Sequence, residues 1–532
     1  MAGLGGTAAF TAHTTGGAMF LAAIPSSGKG RVPLQIEELT IGFVQRLFST
    51  GELTAASLAK RYLARIEQID RRGPGLNSVI ELNPDALAIA RVCDQERGAK
   101  AVRGLLHGIP VLIKDNIDTH DRMTTTAGSL ALKGSIAPRD SGVAEKLRAA
   151  GAVILGKTNL SEWANFRGSM STSGWSGRGG QTRNPYVLDR NPSGSSSGSA
   201  VAVAANLCMV AAGTETDGSI LSPASFNGIV GLKPTVGLVS RAGIIPIAQS
   251  QDTAGPMTRS VRDAAILLGA LAGFDPRDPA TEGCKPYENR DYTALLGADG
   301  LRGARIGVAR AYFGFHRKVD ELMESALKVL QRCGAELVDP VEHRLPPELQ
   351  QAEIEVLRYE MKAGLNAYLA SLGPGAPVHS LEEVIAFNDR FRDKELAWFG
   401  QEELINSQAK GPLTDKAYQD ALATCRRLAR AEGIDALMDQ HRLDALVAPT
   451  TGPSHVTDWL NGDHGLGGST TLAAVAGYPS ITVPAGFISG LPVGVSFFGR
   501  AWSEPKLLAI AYAFEQATVI RRTPAFIRTV SS

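Results

Sequence analysis

Long apolar runs are missing from this 532-residue chain. No segment reaches the roughly 18 consecutive apolar residues that a membrane-spanning helix needs. Net charge is nearly missing too: at +1 there is no electrostatic footprint for nucleic acid or an anionic membrane surface. Cysteine is sparse. The five present (Cys93, Cys208, Cys284, Cys333 and Cys425) are odd in number, far apart and never spaced as CxxC, which argues against a disulfide framework and against a structural zinc site. No HExxH occurs, and the nine histidines do not cluster at ligand spacing, so neither a metal nor another cofactor is expected. Residues 1–28 carry no Lys or Arg, so the basic region that opens a secretory signal is absent as well. Residues 1–32 read as a disordered extension, and the default expectation is a soluble cytoplasmic protein.

What is present is ordinary for a globular protein: 44% hydrophobic and 20% charged residues. The length allows two or three average domains or one large α/β unit. Two helices are expected from "IEELTIGFVQRLFSTGELTAASLAKRYLARIEQIDRRGPG", the second with Leu58, Tyr62, Ile66 and Ile69 at helical spacing. Another is expected from Pro84 to Gly98, with Asn83 able to cap it. "LHGIPVLIKDNIDT" and "AAGAVILGKTN" read as buried strands separated by a helix. That alternation favours an α/β sheet. From about 290 to 440 the chain becomes charged and helix-patterned, and near "LDALVAPTTGP" it returns to short strands. One large unit with a helical insertion fits better than a string of domains.

Three stretches carry chemistry. Lys114 lies inside the apolar strand "IPVLIKDNI". It is either a snorkelling edge residue or half of an ion pair with Asp115 or Asp118, or a desolvated amine whose lowered pKa makes it a base near neutrality. The second stretch, "NPSGSSSGSAVAVAA" from Asn191 to Ala205, has the composition of a flexible loop. Against that, Pro192 stiffens its approach and the helix that follows lacks a polar face. "GSSSG" formally matches GxSxG with Ser196 in the nucleophile position, but that motif needs a strand immediately before the serine, and the Pro-broken "YVLDRNPSG" does not supply one. The third stretch, "GTETDGSILSPASFNG", contains a Thr-Asp-Gly-Ser turn. Such a turn either caps a helix or aims successive backbone N–H groups at one point, with Ser219 at its end as a nucleophile.

Together, "GIPVLIKDNI", "GAVILGKTNLSEWANF", "GGQTRNPY", "GSSSGSAVAVAA", "GTETDGSI", "GLKPTVGLVSR" and "SQDTAGPM" resemble the amidase signature family, in the family's order, from about residue 36 to 520. "ELNPDALAIA", "FRGSMSTSGWSGRGGQTRNPY" and the "AGYPSITVPAG" region are most similar to its peptide amidase branch. The resemblance implies an amidase-signature fold: a large twisted mixed β-sheet core covered by helices on both faces. It implies one catalytic domain over residues 33–525, with a helical insertion at about 290–440 and a tail at 526–532. It also implies Ser219 as nucleophile, Ser195 as a bridging serine preceded by a cis peptide bond, and Lys114 as base. Backbone N–H groups of Thr216, Asp217, Gly218 and Ser219 would form an oxyanion hole, with Ser196 in a supporting role. The GxSxG match is then a decoy.

The implied reaction is hydrolysis of C-terminal peptide amides or amino-acid amides with release of ammonia, through an acyl-enzyme and water. The alternatives are an amidase-signature hydrolase of aryl amides, carbamates or esters, or the glutaminase subunit of a tRNA-dependent amidotransferase. No nucleic-acid or membrane partner is expected, and the chain is expected to work as a monomer or homodimer. Some positions depart from the broad family pattern. Ser193, Ser197 and Asp217 stand where glycine is common, and Leu221 stands where arginine is common. A buried Asp–Arg pairing of that turn is therefore replaced by Glu215, Asp217 and an apolar residue.

Overall fold

The structure, a computed structural model, describes residues 35–288, 290–342 and 345–530. The expected extension at 1–32 lies outside the described residues. The core begins with short apolar stretches too β-branched to favour helix, and these become strands. They are β1 Val79–Leu82, β2 Pro110–Lys114, β3 Val153–Thr158, β4 Val210–Glu215, β5 Val230–Lys233, β6 Thr253–Thr258, β7 Arg305–Ala309, β8 Glu336–Val341, β9 Ala445–Pro449, β10 Ser480–Ile488 and β11 Leu491–Phe498. All eleven join one mixed sheet in the order β1-β3-β2-β4-β6-β5-β10-β11-β9-β7-β8.

Every residue of β2, β3, β4, β6, β9 and β11 is buried. Successive strand side chains point to opposite faces, so both faces of the sheet are covered, as the α/β reading requires. The expected helices form at Ile41–Ser49, Ala55–Arg65 and Ala86–Gly98. Asn83 acts just ahead of the last one, its Oδ1 accepting the Asp85 N–H at 2.9 Å. The segment from 290 to 440 is helix-rich, with long helices at Arg317–Arg332 and Pro347–Ser371. It also supplies β7 and β8, which extend the sheet at one edge. The outermost strand, β8, is partly exposed and carries Pro340, a residue tolerated at a sheet edge because it lacks the N–H that pairing uses. Near the C-terminus, Leu188 N–H donates to Ile527 O at 2.8 Å and Phe526 N–H to Pro185 O at 3.0 Å. No helix among the described residues is long and apolar enough to cross a membrane. All five cysteines are free thiols.

The part of the sheet that matters for chemistry is β3-β2-β4. These strands run parallel, with Lys114 opposite Thr158 and Ile113 opposite Ala212. Their carboxyl ends therefore lie side by side, the place where open parallel sheets present ligand-binding residues. The helix Ser197–Ala204 connects into β4 and is buried along its whole length. Its Gly198 is forced by packing. The Gly198 N–H donates to Asn159 O at 2.9 Å, and a Cβ there would lie 2.3 Å from Ser78 O and 2.5 Å from Asn159 O. Backbone atoms cannot yield as a flexible side chain can. Gly198→Ala is expected to destabilise the protein by about 3 kcal/mol, the upper end of ordinary overpacking costs. A denaturant midpoint equal to wild type would show that this helix does not approach β1 and β3 so closely.

Candidate active site

The carboxyl end of β2 carries Lys114 with no exposure to water. Its Nζ lies 2.7 Å from Ser195 Oγ, 2.8 Å from Thr214 Oγ1 and 3.2 Å from the Thr214 carbonyl oxygen. Burial strips the ammonium of hydration and pushes its pKa down to about 7, although the negative charges of Asp252 and Glu215 pull the other way. Of the two readings of Lys114, desolvated amine or surface ion pair, the structure matches the first. Neither Asp115 nor Asp118 pairs with it. Asp115 instead faces Arg178 at 3.3 Å, and Asp118 accepts the Tyr368 hydroxyl at 2.8 Å.

The Ser/Gly stretch is a fixed loop whose serines have separate partners. Ser195 follows a cis peptide bond after Gly194, and its carbonyl accepts the Ser161 N–H at 3.1 Å. Ser196 is locked differently. Its hydroxyl donates to Thr214 O at 2.9 Å and accepts the Thr214 N–H at 3.2 Å. Its own N–H donates to Ser219 O at 3.1 Å. That hydroxyl belongs to the edge of β4 and is not free to attack a carbonyl. Ser197 Oγ returns to Ser193 O at 2.6 Å, and Ser199 Oγ meets Thr158 Oγ1 at 2.7 Å. A Cβ at Gly194 would lie 2.2 Å from Ser161 Oγ and would displace that hydroxyl from the Gly174 N–H it accepts.

Ser219 ends the turn after β4 and is 7% exposed. The turn is held from inside by Glu215, whose Oε2 accepts the N–H groups of Ile220 at 2.7 Å and Leu221 at 2.9 Å. Gly218 takes φ +74°, where a side chain would also crowd Ser222 and Thr470. Among the described residues, the backbone N–H groups of Thr216, Asp217, Gly218 and Ser219 donate to no protein acceptor. The Asp217 side chain turns away from them to accept the Thr470 and Thr471 hydroxyls, each at 2.7 Å. Burial raises its pKa.

The sequence reading missed several groups around this turn. Lys233 faces Glu215 across the sheet where an arginine partner was absent, and burial pushes its pKa down to about 8. Asp252 accepts Thr216 Oγ1 at 2.6 Å and is raised to about 6 by burial. Glu353, on the Pro347–Ser371 helix, accepts Gln251 Nε2 at 3.0 Å and is pushed up by burial and by the Asp217 charge. Gln251 and Asp252 lie within "SQDTAGPM", and Asn116 and Thr214 lie within other motif stretches. Glu353, Thr470 and Thr471 had no motif to announce them. A cavity of about 410 Å³ adjoins the site, lined by Asn116, Thr214, Thr216, Asp252, Ile245 and Tyr368 among others.

Three distant segments meet around residues 173–181. Ser173 N–H donates to Asp463 at 3.0 Å, Trp459 Nε1 to Gln181 at 2.9 Å, and Trp459 stacks on Trp398 with ring centroids 4.9 Å apart. Arg167 is fully buried, 2.9 Å from Glu162 and stacked over the Phe399 ring at 4.1 Å. Glu395 next to it is pushed up by burial and by the charge of Glu162. Metal-capable side chains meet at the other end of β2: donor atoms of Cys93, Glu96 and His107 lie within 4.8 Å of one another. There Glu96 is engaged by Arg103 at 3.0 Å, and His107 Nε2 donates to Cys93 O at 2.9 Å.

A family model described as Amidase matches residues 57–508. A probable amidase of Arabidopsis thaliana is 45% identical over 92% of this chain and 92% of its own length. The crystal structure of native peptide amidase from Stenotrophomonas maltophilia is similar at TM-score 0.88 and 55% identity, covering 92% of this chain and 99% of that one. A glutamyl-tRNA(Gln) amidotransferase subunit from Thermoanaerobacter pseudethanolicus is 35% identical over 93% of this chain and 99% of its own.

The burial of Lys114 has a direct readout. With lysine labelled at the ε-carbon, one NMR resonance, absent in Lys114→Met, should titrate near pH 7 while surface lysines titrate about three units higher. A Lys114 signal titrating with the surface lysines would mean the amine is hydrated.

Proposed function

This chain belongs to the amidase family, and from that premise we propose that it removes the C-terminal amide of peptides or amino-acid amides through a Ser219–Ser195–Lys114 relay. The observation that carries the reading is the wholly buried Lys114 amine 2.7 Å from Ser195 Oγ. A lysine held out of water with a serine as neighbour is a base near neutrality and has little use as a structural cation.

Neutral Lys114 takes the Ser195 hydroxyl proton as Ser195 takes the Ser219 proton, and Ser219 Oγ attacks the amide carbonyl. The oxyanion accepts hydrogen bonds from the backbone N–H groups of residues 216–219. One such donor is worth about 2.7–4 kcal/mol of barrier lowering. The proton returns along the relay to the departing nitrogen, ammonia leaves and an acyl-enzyme remains. Water activated by the same relay then releases the carboxylic acid. The ammonium formed on Lys114 faces the Asp252 and Glu215 charges, so the relay needs no histidine. Ser196 ties the Ser195 loop to the Ser219 turn. The peptide reading draws on the 55% identity to the Stenotrophomonas maltophilia enzyme. The 410 Å³ cavity beside Thr214 and Thr216 also supports it, being large enough for more than a small amide.

The test is ammonia release from a C-terminally amidated dipeptide. Ser219→Ala and Lys114→Ala should each lower turnover by about 10⁴-fold or more with an unchanged circular dichroism spectrum. A fully active Ser219→Ala refutes the nucleophile. No ammonia from any amidated peptide, together with fast cleavage of anilides or carbamates, moves the chain to the aryl-amide reading. Copurification with a tRNA-dependent partner and glutaminase activity would move it to the amidotransferase reading.

A further inference from the structure

Three oxygens surround the Lys114 amine, and two of them belong to one residue. Thr214 offers its carbonyl oxygen at 3.2 Å and its hydroxyl at 2.8 Å, while Ser195 Oγ stands at 2.7 Å. A neutral amine has two N–H bonds and one lone pair, so one of the three positions must face the lone pair. If that position is not Ser195, the amine cannot receive the Ser195 proton. The Thr214 carbonyl has no proton to give, and it takes an N–H. The Thr214 hydroxyl could accept the second N–H, or it could rotate and donate into the lone pair, which would turn an N–H toward Ser195 and stop the relay.

Asn116 bears on that choice. Its Nδ2 donates to Thr214 Oγ1 at 3.0 Å and also points to Ile245 O at 3.5 Å. The carbonyl of Ile245 only accepts, which fixes the nitrogen side of the Asn116 amide toward Thr214. The N–H from Asn116 fills one acceptor position of the hydroxyl, and the Lys114 N–H fills the other. The hydroxyl proton is then left to the remaining tetrahedral direction, away from both donors, and both Asn116 and Thr214 line the adjoining cavity. Both residues are buried or nearly so, so this arrangement is held by protein groups.

We propose that Thr214, oriented by Asn116, is a positioning residue that grips both N–H bonds of the neutral Lys114 amine and leaves its lone pair facing Ser195. The arrangement rests on the reading of Lys114 as the base of the proposed amidase. It adds that a lowered proton affinity is insufficient without control of where the lone pair points. No bond is made or broken at Thr214 or Asn116; they act only through Lys114.

The experiment compares Thr214→Val, Thr214→Ser, Asn116→Ala and the Thr214→Val/Asn116→Ala double variant on an amidated dipeptide, with pH profiles and with Lys114→Ala alongside. Thr214→Val should lower kcat about 10- to 100-fold, the scale of a misplaced catalytic group, with KM within about twofold. Its acid limb should move to lower pH, because the ammonium form also loses an acceptor. A variant that merely loosened the fold would hydrate the amine and move that limb upward. Thr214→Ser should recover kcat to within about threefold. Asn116→Ala should lower kcat by itself yet add nothing in the Thr214→Val background, because it acts through that hydroxyl. Wild-type or higher kcat in Thr214→Val, an upward shift of its acid limb, or additive effects in the double variant overturns the proposal. If Lys114→Ala is inactive in that case, the base assignment survives and only the positioning role falls. If Lys114→Ala turns over normally, the base assignment itself falls.

Discussion

A lysine amine with no access to water is the constraint around which this structure is arranged. Burying a charged ammonium costs several kcal/mol even after relaxation, and a protein meets that cost by surrounding the group with oxygen or by letting it lose its proton. Here both occur. Three oxygens from β4 and the serine loop lie within 3.2 Å of Lys114 Nζ, and the pKa falls to about 7. The parallel arrangement of β3, β2 and β4 makes this possible. It brings Lys114 and Thr214 to one end of the sheet from positions 100 residues apart.

The serine loop and the turn after β4 are built to meet that end at close range. Gly198 lets the buried helix touch the backbone of neighbouring strands, and Gly194 leaves room for Ser161. Ser196 then closes the assembly by bonding β4 with its hydroxyl and the Ser219 carbonyl with its N–H. The small residues that make this stretch look like a linker are there for contact distance. Flexibility has nothing to do with it. Glu215 plays the matching part inside the turn, with its carboxylate taken up by the N–H groups of Ile220 and Leu221 and balanced by Lys233.

The cluster around Arg167 follows a different logic. Arg167 is wholly buried yet faces two carboxylates, Glu162 and Glu395, and lies against both the Trp175 and Phe399 rings, which meet each other edge to face. One cation can neutralise only one of the two acids in so dry a place. Burial first, and the Glu162 charge second, raise the affinity of Glu395 for its proton. The cluster fastens residues 395–403 of the helix-rich segment to the loop at 162–177, with Gly177 N–H bonded to Glu162 and Glu403 N–H to Arg167 O. Trp398, within that segment, stacks on Trp459.

The amino-acid sequence by itself determined the elements and the chemistry-bearing stretches of this protein. Apolar runs bounded by Gly and Pro became buried strands, the small-residue segment became a buried helix, and Lys114, Ser196 and Ser219 were each singled out by local pattern, whereas Ser195 was implied only by the resemblance to the amidase signature family. Those are short-range properties, set by period, by β-branching and by the need of tight turns for glycine. Tertiary structure alone decided which serine neighbours the lysine, that the Ser196 hydroxyl is spent on β4, and that Asn116 and Thr214 stand beside the amine. It alone also brought Glu353, Thr470, Thr471 and Lys233 around the turn. Hydrogen-bond partners and charge neighbours separated by 18 to 254 residues depend on strand order and register. No window along the chain contains that information.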